Sequence, residues 1–241
     1  MIDRSSLKAG AADLCKTSRP SLILVGLIYA LLTIVMSTLS SRVMSAGITI
    51  SDANRFLNAF YNGNYEVAFA LVDRVRPPAS SYLIDGALRL VMMIVSAGFT
   101  IFVLNTIRNA GAAYGNLLDG FGMAGRIILL NLLEGIFVFL WSLLLLVPGI
   151  IAAYRYSQAI YILLDHPEKS VLECIRESKE LMKGRKGELF KLDLSLLGWA
   201  ILGAFIPFIT VWTAPYIRTI HALYHMELTG EEPGDNNPLN P

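Results

Sequence analysis

IILLNLLEGIFVFLWSLLLLVPGIIAAYRYSQAIYILL, residues 127–164, decides how this chain is threaded. As one helix it would be roughly 57 Å long at 1.5 Å per residue, nearly twice the roughly 30 Å hydrocarbon core of a bilayer. Pro148-Gly149 lies near its middle. Proline removes a backbone donor and clashes with the preceding turn, so the pair either kinks one long helix or turns the chain back. Length favours a hairpin of two spans, about 127–147 and 150–164.

The rest of the chain suits the same solvent. It is 54% hydrophobic and only 16% charged, against about 25% charged in soluble domains. So few charges cannot cover a globule in water, so much of the surface must face a lipid bilayer. The net charge of +1 argues against a nucleic-acid partner, because phosphate binding needs a basic excess on one face.

Upstream, a span is expected at about 21–39, opened by Pro20 in its first turn. Arg4, Lys8, Lys16 and Arg19 precede it. An uncleaved first helix fits its length. A cleaved signal ending at Ser45-Ala46-Gly47 is the alternative. The polar stretch 40–81 places Phe56, Phe60, Tyr61, Tyr65 and Phe69 at roughly helical spacing. It reads as short amphipathic helices at the membrane surface or as an ordinary structured loop. A second span follows at about 82–106. Asp85 and Arg89 form an i,i+4 pair in its first turns, with the acid first, which is the favourable order.

Downstream, Ser170 and Glu173 make an S-x-x-E capping box after Pro167, followed by Val171, Leu172, Ile175 and Met182 on one side and Gly184 as a C-cap. This predicts an amphipathic helix over 170–184 that packs through Val171, Ile175 and Met182 and braces spans four and five. Two further spans, about 189–205 and 208–225, are separated near Pro207. Residues 229–241, with three prolines, read as a disordered tail. The fold class is therefore all-α: a polytopic transmembrane helical bundle of about six spans. Basic residues set its orientation. With the N-terminus inside, the cluster Lys179, Lys183, Arg185, Lys186 and Lys191 is cytoplasmic, as is the C-terminus, and Arg42, Arg55, Arg74 and Arg76 lie in the outer loop. A mere kink at Pro148-Gly149 would put that cluster outside, so the charge rule supports the hairpin independently.

The stretch 139–202 resembles the core signature of a bacterial family of polytopic membrane proteins, domain of unknown function 975. Within it, Cys174-Ile175-x-x-Ser178-x-x-Leu181-x-x-Gly184 follows P-G-I and an acid-containing turn. This pattern also resembles the membrane domains attached to some bacterial glycerophosphodiester phosphodiesterases. The flanking Asn116–Gly122 loop and Ala214-Pro215-Tyr216, with Tyr224 and Glu227, fit as well, so the likeness covers about 82–228. It implies a protein of the bacterial cytoplasmic membrane and carries no catalytic residue, metal or cofactor with it.

Three ionisable residues are out of place in apolar runs: Glu134, Arg155 and Asp193. A charge at the bilayer centre costs at least roughly 2.5–3.5 kcal/mol on insertion scales. They either pair to hold helices in register or line a polar cavity. About the Pro148-Gly149 turn, Glu134 would lie opposite Leu163 and Arg155 opposite Ser142, roughly 12 Å apart along the axis. His221 and His225 have metal-ligand spacing but no evident third ligand. No motif of nucleophilic, metal or phosphate chemistry is present, so no enzyme is expected. The primary expectation is an accessory, regulatory or scaffold component with a membrane-protein partner or a second copy of itself. The alternative is a permease for small molecules or lipids. Reporter fusions at Gly184 and in the tail should report cytoplasm, and one at Gly63 the exterior; the reverse at either glycine overturns the threading.

Overall fold

The computed structural model describes residues 3–45 and 49–234. Every regular element among them is a helix. In chain order the α-helices are α1 Arg4–Thr17, α2 Leu22–Met44, α3 Ile50–Tyr61, α4 Tyr65–Arg74, α5 Ala79–Ile107, α6 Asn116–Asp119, α7 Ala124–Leu144, α8 Leu146–Tyr156, α9 Ala159–Asp165, α10 Val171–Leu181, α11 Lys186–Phe205 and α12 Thr210–Thr229, with short 3-10 turns at Gly120–Met123 and Pro207–Ile209. Three segments are long and apolar enough to cross a membrane: Leu22–Met44, Ala79–Ile107 and Asn116–Leu144. Ala46 and Gly47 of the candidate cleavage site, and residues 235–241 of the tail, lie outside the described residues.

The chain divides into two units, one of residues 32–92 and one of the described residues before and after it. In the first, α3 starts at a reciprocal capping box between Thr49 and Asp52, and α4 starts at Asn64. The aromatic spacing of this stretch is thus helical, with Phe60 edge-on to Tyr65. Asp85 meets Arg89 at 2.7 Å, the local pair expected from sequence, while the arginine stays largely exposed. Ser40 also donates to Asp85.

The second unit contains the hairpin. Its turn is at Leu145, an extended residue between α7 and α8, three residues before Pro148-Gly149. The proline sits in the first turn of α8, where a missing donor is harmless. Gly149 is the point of contact instead: a Cβ there would stand 2.0 Å from Ser142 Oγ. The shifted turn changes the expected register. Phe137 meets Tyr156, so Glu134 comes opposite the Ser157 region rather than Leu163.

The returning strand of the hairpin is broken. α8 ends at Tyr156 and α9 begins at Ala159. Ser178 of α10 fills the break: its hydroxyl donates to the Arg155 carbonyl at 3.0 Å and accepts from the Gln158 N–H at 3.2 Å. The interruption therefore leaves no orphaned backbone group at these two positions. α10 has the expected Ser170–Glu173 capping box and buries Val171, Cys174, Ile175 and Ser178. It packs on α7, α8 and α9, so it meets span three as well as the expected span four, and Met182 just past it joins Leu189 and Leu192 of α11.

Two apolar clusters complete this unit. One joins Leu7, Leu22, Phe99, Phe102, Leu192 and Ile220, and the other joins Ile127, Leu130, Ile162, Cys174 and Ile175. α1, unforeseen as a helix, buries Leu7 and Ala11 at the four-residue spacing of a helical face and lies along α12. Where α2 passes α12, Gly26 faces Val211 and Pro215; an added Cβ would be 2.4 Å from the Val211 carbonyl oxygen. Pro215 has no N–H to offer that carbonyl.

Replacing Ser178 with alanine strands a buried donor and a buried acceptor, at about 1–3 kcal/mol for a group left unpaired. Ser170→Ala removes only a helix cap, about 1 kcal/mol. Unfolding in detergent should therefore show Ser178→Ala as the more damaging; equal or reversed effects would mean the break is held by something else.

Candidate functional site

A cavity of about 680 Å³ lies within the second unit, between α5, α7, α9 and α12. Such a volume falls in the range of small-molecule sites. Its polar wall includes Ser96, Asn131, Glu134, Ser157, Arg218 and His221. Of the three residues singled out by sequence, Glu134 is in this wall, and its Oε1 is buried with no hydrogen-bond partner. Asn131, three residues earlier on α7, lines the same wall, and among the described residues Glu134 joins no ion pair.

Arg218, missed by sequence reasoning, is the most elaborately held side chain here. It donates to the Ser96 carbonyl at 2.7 Å, the Ser96 hydroxyl at 2.7 Å and the Thr100 hydroxyl at 2.8 Å. The rings of Phe99 and Tyr29 lie 5.0 and 5.4 Å from its guanidinium carbon. These are neutral acceptors and π faces. Among the described residues Arg218 joins no ion pair. A signal was available: Arg218 falls within the expected span 208–225, and Ser96 and Thr100 repeat at i,i+4 on one face of α5.

Asp193 of α11 binds His221 Nε2 at 2.7 Å. Both face a second cavity of about 300 Å³, whose wall also includes Tyr154, Gln158 and Tyr161. Ser157, Tyr161 and His221 line both cavities. The sequence thus found Asp193 but not its partner. Arg155 stands apart: among the described residues it pairs with neither Glu134 nor Asp193, and it lines neither cavity.

A separate polar cluster ties helix ends together. Arg108, just past α5, meets Asp165 at the end of α9 through two contacts of 2.7 and 3.1 Å, and meets Glu231 at 2.7 Å. His225 Nε2 approaches Asp165 Oδ2 at 3.2 Å, and its Nδ1 approaches Gln158 Oε1 at 3.1 Å. Tyr161 stacks on the His225 ring. The two histidines thus serve different acids, and no group of three or more His, Cys, Asp or Glu gathers as a metal site among the described residues. Of the tail expected over 229–241, residues 229–234 are described: Gly230 closes α12 in a left-handed conformation and the Gly234 N–H reaches the Ile107 carbonyl.

These features define an all-helical chain with a charged cavity inside an apolar unit and three helices long enough to span a membrane. Residues 143–232 match the model of a family described as a protein of unknown function, DUF975, which supports the family resemblance read from the sequence. No curated protein and no solved structure matches the chain.

Burial alone would push the Asp165 carboxyl up, but hydrogen bonds from His225 and Arg108, and the charge of Arg108, hold it at about 2 against an ordinary 3.8. A depressed carboxyl contributes stability that is complete above about pH 4 and lost as pH falls toward 2. At 1.36 kcal/mol per unit the contribution is about 2 kcal/mol. In thermal melts of the detergent-solubilised protein, Asp165→Asn should be less stable at pH 7 and should lose less than wild type between pH 4 and 2. Parallel curves would show that Asp165 contributes nothing through its charge.

Proposed function

We propose that this chain is a multi-pass protein of the bacterial cytoplasmic membrane whose helical bundle binds, and passes or presents, a small polar molecule or lipid headgroup without covalent chemistry. The reading has six spans, at about 21–39, 82–106, 124–144, 146–165, 189–205 and 208–225, the third and fourth bounded by the turn at Leu145, with both ends in the cytoplasm and α10 at the cytoplasmic surface. Its support begins with hydropathy. The tip of the α7–α8 hairpin, Leu143 to Val147, is five consecutive apolar residues, each more than 60% exposed, a surface suited to lipid and not to water.

The observation that carries the functional reading is Glu134, an acid that lines a cavity of about 680 Å³ and has one buried oxygen without a hydrogen-bond partner. An ionisable group inside a membrane bundle is expensive unless it serves a pathway or a ligand. The broken α8–α9 segment supports the same view, since Ser157 at the break and Tyr161 just beyond it line that cavity. The accessory or scaffold reading keeps one surface: the exposed face of α10, where Lys169, Glu173, Arg176, Glu177 and Glu180 line a shallow groove. The apolar face of that helix is already occupied by α7, α8 and α9.

Native mass spectrometry of the full chain, extracted in mild detergent, should find a co-purifying small molecule or lipid. Ala97→Phe, which adds volume at the cavity wall, should reduce its occupancy by about tenfold, the equivalent of 1.4 kcal/mol. Unchanged occupancy in a folded variant, or a stoichiometric protein partner with an empty cavity, would favour the accessory reading.

A further inference from the structure

Arg218 brings a positive charge to the cavity wall, and what it lacks names the occupant; the inference rests on the solute-cavity reading above. Its Nη1 donates to the Ser96 carbonyl and the Thr100 hydroxyl, and its Nη2 donates to the Ser96 hydroxyl. All three acceptors are neutral oxygens of α5. A guanidinium carries two N–H groups on each terminal nitrogen and one on Nε. Nη1 is therefore full. The Nε–H and the second N–H of Nη2 have no partner among the described residues. Ser96 receives from both terminal nitrogens, so it faces the edge between them. The edge left open is the one where Nε–H and Nη2–H lie side by side, the spacing that takes two oxygens of one oxyanion. The rings of Phe99 and Tyr29 flank the group, so its orientation is set before any ligand arrives.

No acid of the protein answers that charge. Asp193 is engaged by His221 at 2.7 Å and lines the second cavity. Glu134 lines the same cavity as Arg218 but does not pair with it, and its Oε1 is buried. An arginine drawn away from water without a counter-ion favours an anion. One guanidinium matches one negative charge, and a second would find no free cation in the wall. The cavity also has an apolar side, formed by Met93, Ala97, Ile127, Ile160 and Ile217. Ala97 and Ile217 are chain neighbours of Ser96 and Arg218, so that side begins next to the guanidinium. We propose that the cavity binds an organic anion of single charge, its carboxylate or phosphodiester on the open edge of Arg218 and its hydrocarbon part against this apolar side. Two sources share this chemistry: the phosphodiester of an anionic membrane lipid, and a free monocarboxylic acid.

The test uses the full chain in a non-ionic detergent. Hexanoate, hexanol, hexylammonium and adipate share a six-carbon chain and differ in charge. Hexanoate should bind about tenfold or more tightly than each of the others. Ala97→Phe should weaken hexanoate about tenfold, which places it in this cavity. Arg218 anchors α12 to α5, so the companion variant is the conservative Arg218→Lys, which keeps the charge and loses the two-pronged edge. It should weaken hexanoate about tenfold and leave hexanol unchanged. A purely structural role for the arginine would lower both alike. Source is decided separately. Selective retention of phosphatidylglycerol over phosphatidylethanolamine in native mass spectra supports a lipid; a preference for hexanoate without such retention supports a free acid. Either supports the single anion.

Hexanol, hexylammonium or adipate binding as tightly as hexanoate would overturn the proposal, as would an Arg218→Lys variant whose preference for hexanoate over hexanol is unchanged. If a neutral or cationic occupant is found and Ala97→Phe displaces it, the cavity reading survives and only the anion falls. If nothing bound by the protein responds to Ala97→Phe, both fall.

Discussion

One hydroxyl group, that of Ser178, determines where the polar residues of this protein can stand. A helix interrupted among apolar neighbours leaves backbone groups that those neighbours cannot satisfy. By donating to Arg155 and accepting from Gln158, Ser178 lets α8 stop and α9 restart. The restart sets Ser157 and Tyr161 toward both cavities and places the Gln158 amide against His225. A continuous helix would carry these side chains on a different rotation. The capped helix α10 therefore acts as more than a brace, because it delivers the group that makes the break tolerable.

Much of this could be read from local chemistry. The capping box at Ser170 and Glu173, the i,i+4 pair of Asp85 and Arg89 and the reversal of the chain after α7 are short-range consequences of residue type. The reversal point was less legible. Pro148-Gly149 is a strong turn signal, yet the proline is equally content in a first helical turn, and the chain bends at Leu145 instead. That three-residue shift moves the partner of Glu134 across the hairpin from Leu163 to the Ser157 region, and with it the wall of the cavity.

The site was half legible for a related reason. Glu134 and Asp193 stand out because they interrupt apolar runs. Arg218 and His221 do not, because they lie close to the polar end of the chain, where a basic residue reads as an interfacial anchor. What makes Arg218 distinctive is tertiary: three hydrogen bonds reach across to residues more than a hundred positions earlier, and no period in the sequence encodes them. Arg155 shows the converse, since it is conspicuous in sequence and lines neither cavity.

The cluster at Arg108 bears on how the chain is made. Asp165 follows Arg108 by 57 residues, His225 follows Asp165 by 60, and Glu231 follows Arg108 by 123. During synthesis Arg108 and Asp165 are both made before His225 and Glu231. The arginine and aspartate can find each other early, but the two groups that complete the cluster arrive only with α12 and the residues just after it. Until then the cluster is incomplete, so α12, made after the helices whose ends it meets, is the one that fixes them.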